Sequence, residues 1–170
     1  MNTADLLKFR SDKDDFFKQS EQSPLTHEAQ HNFDGLAYFE PNDDLVFEVS
    51  LDAVEPTDVV IATTAGEERT YSRVATATVS VDGEDTTVAL YSTGHEGLFL
   101  PFRDATSGSE TYGAGRYIDV HPQGDGTVMI DFNYAYAPFC AYNENYSCAL
   151  PPHENWLSVA IRAGERNPPR

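Results

Sequence analysis

Lysine is scarce in this sequence, and positive charge is scarce with it. The chain of 170 residues contains 11 lysines and arginines against 28 aspartates and glutamates, which gives a net charge of -17 at pH 7. The only lysines are Lys8, Lys13 and Lys18. Binding to nucleic acid or to an anionic membrane surface requires a cationic footprint. We therefore expect neither nucleic acid nor a membrane as a partner.

Cysteines and long apolar segments are also few. Cys140 and Cys148 are the only cysteines, too few for the disulfide framework of a small secreted protein. No apolar run approaches the roughly 20 residues that a membrane-spanning helix needs. Residues 1–10 lack the basic start and apolar core of a secretory signal. We therefore expect a soluble, cytoplasmic protein with two reduced thiols.

The acidic residues are spread along the chain instead of forming one tail. Such a distribution encodes a uniformly acidic surface, whose self-repulsion destabilises the folded state unless salt screens it. Because lysine is absent after residue 18, we interpret the composition as adaptation to the high-salt cytoplasm of a halophilic organism. The alternative is an ordinary acidic bacterial protein.

Length and patterning predict one domain, residues 1–170, that is mainly β. Residues 1–20 carry apolar residues at helical spacing with charges between them, which predicts one amphipathic helix. From residue 33 to 165 the pattern changes to short β-branched and aromatic runs separated by Gly, Asp and Pro. Many short strands of this kind favour an antiparallel sandwich or a partly open barrel.

Nine strands and two hairpins are predicted within this β body. One hairpin turns at residues 82–85 and the other at residues 123–126, where Gly and Asp interrupt the alternating pattern. Strands and helices do not alternate, so we do not expect a doubly wound nucleotide-binding fold. The predicted strands are 36–40, 45–51, 59–63, 73–81, 86–92, 97–102, 116–120, 127–132 and 156–162.

The last third of the chain concentrates aromatic, amide, cysteine and glycine residues in short motifs. It reads TYGAGRY at 111–117, DFNYAYAPFC at 131–140, CALPP at 148–152, EN at 154–155 and AGE at 163–165. Related motifs upstream are LFLPFRD at 98–104, FDGLAY at 33–38 and DFF at 15–17. Together they resemble the family known as domain of unknown function 1684, over nearly the whole chain. The resemblance implies no particular activity.

These motifs predict a small-ligand site. If strands 116–120 and 127–132 form the second hairpin, Arg116 lies near Asp131 and Asn133. A few convergent polar groups on an aromatic lining are typical of a small-ligand pocket, and Arg116 would neutralise a polar or anionic ligand. The predicted ligand-binding residues are Tyr112, Arg116, Asp131, Asn133, Tyr134, Tyr136 and Asn155.

Other interpretations of the same residues stay open. Arg116 can instead form a salt bridge with Asp131 or Asp119, while the amides hold loops in place. An enzymatic version of the site would use Asp131 or Glu154 as general base. A third possibility is a non-catalytic scaffold or interaction protein whose aromatic block is only an unusual core. GAGR at 113–116 lacks the spacing of phosphate-binding loops, so we interpret it as a turn with positive φ.

Two patterns are compatible with zinc, although no cofactor is favoured. HEAQH at 27–31 is a literal H-E-x-x-H, in which His27 and His31 would bind zinc and Glu28 would serve as the general base of a hydrolase. Only about two helical turns fit before the next predicted strand, so coincidence is the favoured interpretation.

The second pattern places Cys140, Cys148 and His153 at C-x7-C-x4-H spacing, looser than structural zinc knuckles. A fourth ligand would come from His95, His121 or Glu154. We favour instead two cysteines that act as small buried apolar residues or as a redox-sensitive pair.

Overall fold

The computed structural model describes residues 2–94 and 97–167. Within these ranges two α-helices and seven β-strands follow one another, with one short 3-10 turn before β1 and three after β7. They are α1 (Thr3–Gln19), α2 (His27–His31), β1 (Val46–Ser50), β2 (Asp52–Ala62), β3 (Glu68–Val81), β4 (Glu84–Ser92), β5 (Leu98–Phe102), β6 (Arg116–Val120) and β7 (Thr127–Asp131).

The strands form two antiparallel sheets that do not close into a barrel. The larger sheet has the order β2-β3-β4-β5-β6, and the smaller one pairs β1 with β7. The predicted fold class is thereby confirmed: a mainly β protein with open, antiparallel sheets and one long N-terminal helix. Within the described ranges no helix combines the length and the apolar character that crossing a bilayer requires.

The main core lies between the two sheets. Strand alternation assigns each residue of β5 to a face: Leu100 and Phe102 join the main core, whereas Phe99 packs on the other side of the sheet. The small sheet contributes Val128 and Ile130, and the segment after residue 156 covers one end with alternate apolar residues. A second, smaller apolar cluster covers the opposite face of the large sheet.

Asn2 caps the N-terminus of helix α1. The side chain of Asn2 accepts a hydrogen bond from the backbone of Asp5, which satisfies one of the free N–H groups of the first turn. Leu6 and Phe17 are buried on one side of the helix, and the Phe17 ring packs edge-on against Tyr142. The helix predicted within residues 1–20 is confirmed.

The hairpin predicted at residues 82–85 is also confirmed. β3 and β4 pair in antiparallel register up to Val81 opposite Glu84. Asp82 and Gly83 both have positive φ, the conformation that a two-residue turn needs to match the twist of its strands.

The prediction that β6 pairs with β7 in a second hairpin is wrong. The turn exists, since Gln123 donates its N–H to Thr127, but the strands belong to different sheets. β6 pairs with β5, and on its other side Tyr117 exchanges backbone hydrogen bonds with Tyr136. Pro122 stands between the strands and has no N–H to donate to a ladder.

Two further predicted strands, 36–40 and 156–162, do not form. Each segment makes a single backbone bridge, at Tyr38 and at Trp156. In the segment 156–162, Leu157, Val159 and Ile161 nevertheless face the main core. The backbone of this segment bonds the backbone of residues 103–105 at Leu157 and Val159 only, and at Ile161 side chains take over as partners.

Candidate functional site

Arg116 binds the C-terminal segment of the protein itself. Its guanidinium donates hydrogen bonds to the carbonyl oxygens of Ile161 at 2.9 Å, Ala163 at 2.6 Å and Glu165 at 3.1 Å. The side chain is 1% exposed, and burial lowers the pKa of the guanidinium against the opposing effect of Asp104. The Arg116 side chain therefore holds the irregular C-terminal segment in place by bonding the backbone of that segment.

Asp104 completes this arrangement. Its Oδ1 lies 3.4 Å from Nη2 of Arg116, and its Oδ2 accepts the backbone N–H of Ile161 at 2.7 Å. Gly115, just before Arg116, has a φ of +107, and a Cβ there would lie 2.7 Å from the carbonyl oxygen of Phe102. The GAGR sequence is thus a tight turn, as predicted, with no room for a side chain at its third residue.

Asn155 is likewise engaged inside the protein. Its Oδ1 accepts the N–H of Ala89 at 2.8 Å, and its Nδ2 donates to the carbonyl oxygens of Ala89 at 2.9 Å and Pro101 at 2.8 Å. The side chain is fully buried. It connects β4 to β5, two strands that pair with each other over only a short stretch of backbone.

Asn133 and Asp131 form a connected pair beside β7. Asn133 exchanges hydrogen bonds with the backbone of Asn42, and its Nδ2 also donates to Oδ1 of Asp131 at 2.8 Å. Asp131 caps the short 3-10 turn that follows the strand by accepting the N–H of Asn133. The expected meeting of Arg116 with Asp131 and Asn133 does not occur, because the hairpin that would create it does not form.

A cleft opens between α1, β6 and β7, and we refer to it as the α1 cleft. Its volume is about 480 Å³. Phe9 lies on the α1 side, and Tyr134 and Tyr136 come from the segment after β7. The two strands contribute Ile118, Asp119, Met129 and Asp131, with His121 beyond the end of β6. Three predicted ligand-binding residues, Asp131, Tyr134 and Tyr136, therefore line one cleft.

Hydrogen bonds and aromatic contacts fix several of these side chains. The hydroxyl of Tyr136 donates to Oδ2 of Asp119 at 3.0 Å. The rings of Phe9 and Tyr134 meet edge to face, 5.0 Å apart, a favourable aromatic geometry. Burial, reinforced by Asp119, raises the pKa of Tyr136.

Sequence reasoning missed part of the cleft. Phe9 was assigned only to the amphipathic helix, Asp119 only to a possible salt bridge, and Met129 to no site. The contact between Phe9 and Tyr134 joins residues far apart in sequence, so no local spacing reveals it. The one available signal was polarity, since Asp119 is exposed within an otherwise buried β6.

Tyr112 belongs to a different place, near the cysteines. Its hydroxyl donates to Sγ of Cys140 at 3.5 Å. Cys140 and Cys148 are both free and half-buried, and burial raises the pKa of the Cys148 thiol. The Cys148 side chain packs beside Tyr117 on the second apolar cluster. Tyr112 does not line the α1 cleft.

Glu154 is also remote from the cleft. It receives a hydrogen bond from the hydroxyl of Tyr91, and its Oε2 lies 2.6 Å from the guanidinium of Arg73. His153 stacks on the ring of Trp156 with centroids 3.9 Å apart. Both residues have partners in a surface cluster around the last 3-10 turn.

The histidine pair of the HEAQH sequence lies on the surface. α2 has five residues, is capped by Thr26, and exposes His27, Glu28 and His31. Across residues 2–94 and 97–167, no group of three or more His, Cys, Asp or Glu side chains is arranged to hold a metal ion. His95, named above as a possible fourth zinc ligand, lies outside the described residues.

Comparison with known proteins identifies the family. The model of a family described as "Protein of unknown function (DUF1684)" matches residues 31–166. A solution NMR structure of an uncharacterized protein from Haloarcula marismortui is 39% identical, covers 96% of this chain and 93% of that chain, and has a TM-score of 0.74. No curated protein gives a significant match. The resemblance seen in the motifs is thus confirmed, and the chain belongs to the DUF1684 family.

Proposed function

We propose that the protein binds a small organic molecule in the α1 cleft. The observation that carries this proposal is the combination of cleft size, aromatic lining and available polar groups. A volume of about 480 Å³ lies within the range of roughly 300–1,000 Å³ that ligand pockets occupy. Phe9, Tyr134 and Tyr136 supply aromatic surface, and Asp119 and Asp131 supply acceptors.

The exposed apolar residues of the cleft support the same proposal. Phe9 is 39% exposed and Met129 is 36% exposed. They belong to different elements and face one concave surface, where a bound molecule would remove both from water. Contiguous apolar surface in a concave setting is a common mark of a binding site.

The polar groups of the cleft do not favour an anionic ligand. The expected anchor, Arg116, is buried against the C-terminal segment, and Asn133 and Asn155 have partners within the protein. Of the predicted residues, Asp131, Tyr134 and Tyr136 remain candidates for ligand contact. If the cleft is catalytic, Asp131 is its candidate general base, because Glu154 lies elsewhere.

Composition and relationship support a high-salt setting for this binding. The net charge is -17, and the related structure comes from Haloarcula marismortui, a halophile. The ligand would therefore be recognised in concentrated salt, where long-range attraction is screened and close contacts decide affinity.

A fragment screen by ligand-observed NMR tests the proposal. The Met129→Trp variant fills the cleft from β7 with a larger side chain, and we expect it to abolish the binding of fragments that bind the wild type. Val60→Trp is the matched control, since Val60 is 60% exposed on β2 and lies outside the cleft. Both positions lie on strands.

The outcomes separate the binding proposal from the scaffold alternative. Fragments that bind the wild type and the Val60→Trp variant, but not Met129→Trp, support the α1 cleft as a ligand site. Binding that persists in Met129→Trp, or a screen without any bound fragment, contradicts the proposal and leaves a non-catalytic interaction protein as the better explanation.

A further inference from the structure

The charged side chains that line the α1 cleft are acidic. Asp119 lies on β6 and Asp131 on β7, and the cleft lining contains no lysine or arginine among the residues that the structure describes. His121 adds a third polar side chain beyond the end of β6. Two carboxylates in a largely apolar cleft are costly to desolvate unless a positive charge joins them.

One oxygen of each carboxylate accepts a hydrogen bond from the protein, and the other is available to a ligand. The Tyr136 hydroxyl bonds Oδ2 of Asp119, and the backbone and side chain of Asn133 bond Oδ1 of Asp131. Within the described part of the chain, Oδ1 of Asp119 and Oδ2 of Asp131 have no hydrogen-bond donor. The two carboxylates are therefore positioned acceptors with capacity for a ligand.

The nearest cations of the protein belong to α1 and have other partners. The Arg10 guanidinium is buried, donates to the carbonyl oxygen of Phe39 at 3.1 Å and lies over the ring of Tyr38. Lys13 pairs with Glu165 at 2.7 Å. Arg10 is close enough for its pKa to be affected by Asp131, yet neither cation forms a salt bridge with a carboxylate of the cleft.

The aromatic rings of this region are suited to cations as well. The ammonium group of Lys13 lies 4.8 Å from the centroid of the Tyr136 ring, within the distance at which a ring face attracts a cation. This ring already contacts a cation of the protein, so the ligand is left with the other rings. Tyr134 and Phe9 present further aromatic surface beside Asp131. Rings together with carboxylates form the kind of site that recognises alkylated ammonium groups.

A bare metal ion fits these features less well. The cleft is much larger than one ion, and Phe9, Ile118 and Met129 cannot coordinate a hard cation through oxygen. No cluster of three potential metal ligands occurs among the described residues. An organic cation, in contrast, uses the apolar and the acidic parts of the cleft together.

We infer that the α1 cleft selects a small organic ligand that carries an alkylammonium group. The inference rests on the proposed function, since it names the chemical class of the molecule bound there. In the complex the ammonium group lies between Asp119 and Asp131, and the alkyl or aromatic remainder contacts Phe9, Tyr134 and Met129. The carboxylates give the preference for charge, and the rings give affinity for the attached carbon.

Two pairs of matched probes test the preference for charge independently of shape. Choline is compared with 3,3-dimethylbutan-1-ol, and 2-phenylethylammonium with 2-phenylethanol; within each pair the main difference is the positive charge. Titrations followed by NMR shifts of the Met129 methyl group report binding in the cleft. All samples contain the same KCl concentration and phosphate buffer, so that screening is equal and no buffer amine competes.

We expect the cation of at least one pair to bind about tenfold more tightly than its neutral counterpart, a difference of roughly 1.4 kcal/mol. The double variant Asp119→Asn, Asp131→Asn keeps the size of both side chains and removes their charge, so most of this preference should disappear. Asp58→Asn, an exposed position on β2, is the control and should retain it.

Failure of this inference can be told apart from failure of the proposed function. Equal affinities within both pairs, or a preference that survives the double variant, overturn the cation inference while binding in the cleft stands. If no probe shifts the Met129 methyl group and the fragment screen also finds no ligand, both fail. A preference for the cation that is lost in the double variant supports both.

Discussion

The guanidinium of Arg116 and the carboxylate of Asp104 form a buried ion pair, with Nη2 of Arg116 3.4 Å from Oδ1 of Asp104. Both side chains are nearly inaccessible, and each also bonds the backbone of the segment that contains Ile161. A conspicuous cation in an acidic protein therefore serves folding, because it bonds the C-terminal segment beyond the point where that segment's backbone pairing with residues 103–105 ends.

The first prediction is that Arg116→Ala severely destabilises the fold. The change leaves the Asp104 carboxylate buried without its cation and three carbonyl groups without their donor. Breaking a buried pair from one side costs roughly 3–5 kcal/mol. Denaturant unfolding followed by circular dichroism measures this loss.

Arg162→Ala is the control for that experiment. Arg162 pairs with Glu110 at 3.1 Å on the surface, with its side chain 61% exposed. Exposed pairs of this kind contribute about 1 kcal/mol or less. If the two variants lose similar free energies of unfolding, the structural role assigned to Arg116 is wrong.

The second prediction concerns Asn155, whose side chain connects β4 with β5. Asn155→Ala removes the partners of the Ala89 N–H, the Ala89 carbonyl and the Pro101 carbonyl in the interior. Buried polar groups without partners cost about 1–3 kcal/mol each, so we expect a loss of about 3 kcal/mol or more. Asn145→Ala, at an exposed position, should change the free energy of unfolding by less than about 0.5 kcal/mol. Urea titrations of Asn155→Ala and Asn145→Ala measure the two losses of unfolding free energy. Equal unfolding midpoints of the two variants would contradict the structural role assigned to Asn155.

Local rules were sufficient for part of the fold. The β3–β4 hairpin follows from alternation on both sides of Asp82 and Gly83, whose backbone conformations suit a two-residue turn. The first helix follows from the helical spacing of apolar residues within residues 1–20, although its capping residue, Asn2, was not predicted. In both cases the interacting residues are close in sequence, so the pattern contains the information.

Pairing between distant segments was not predictable in the same way. The turn at 123–126 looks like a hairpin, yet β7 pairs with β1, some 80 residues earlier in the chain. Residues 156–162 were predicted as a strand, but their backbone bonds that of residues 103–105 only at Leu157 and Val159, and the side chains of Arg116 and Asp104 bond the backbone of Ile161. Nothing in the local sequence distinguishes a side-chain partner from a strand partner.

The candidate site was predicted only in part, because contacts between distant segments also form this site. Asp131, Tyr134 and Tyr136 share one motif, and three-dimensional structure keeps them together. Arg116 and Asn155 belong to neighbouring motifs that are equally rich in polar residues but stabilise the interior. Phe9 reaches the cleft only because α1 packs against the segment that follows β7, where Phe9 meets Tyr134, a contact that spacing does not encode.

The third prediction is a loss of stability at alkaline pH. Burial raises the pKa of seven of the nine tyrosines above the value of about 10 that applies in the unfolded chain. Above that pH the unfolded state releases protons that the folded state retains, so the free energy of unfolding falls as pH rises. The tyrosines concerned are Tyr38, Tyr91, Tyr112, Tyr117, Tyr134, Tyr136 and Tyr142.

Ultraviolet absorbance of tyrosinate and circular dichroism, recorded in one pH titration, test this link. We expect most tyrosine ionisation to coincide with the loss of secondary structure, because the buried hydroxyls ionise only when the chain unfolds. Ionisation of seven tyrosines well before unfolding would contradict the structural explanation.

The fourth prediction concerns the HEAQH sequence. His27 and His31 are exposed on a helix of five residues, a poor framework for a closed zinc site, which requires fixed ligands and a supporting shell. Protein purified without chelator should contain far less than one zinc per chain, and His27→Ala should not change the content. Elemental analysis that finds stoichiometric zinc, lost in His27→Ala, would instead support the hydrolase alternative.

The fifth prediction is that thermal stability rises strongly from low to molar KCl. The net charge of -17 creates repulsion among surface carboxylates, which is screened as the Debye length falls from about 10 Å at 0.1 M to about 3 Å at 1 M salt. A variant that replaces exposed acidic residues of β2 and β3 with lysine, at Glu55, Asp58 and Glu68, is the matched test. Since the surface charges of this variant repel one another less, its melting temperature should exceed that of the wild type at low KCl. At molar KCl the two melting temperatures should converge. A melting temperature of the wild type that does not depend on KCl, or a variant with the same dependence, would contradict the interpretation of the acidic composition as adaptation to salt.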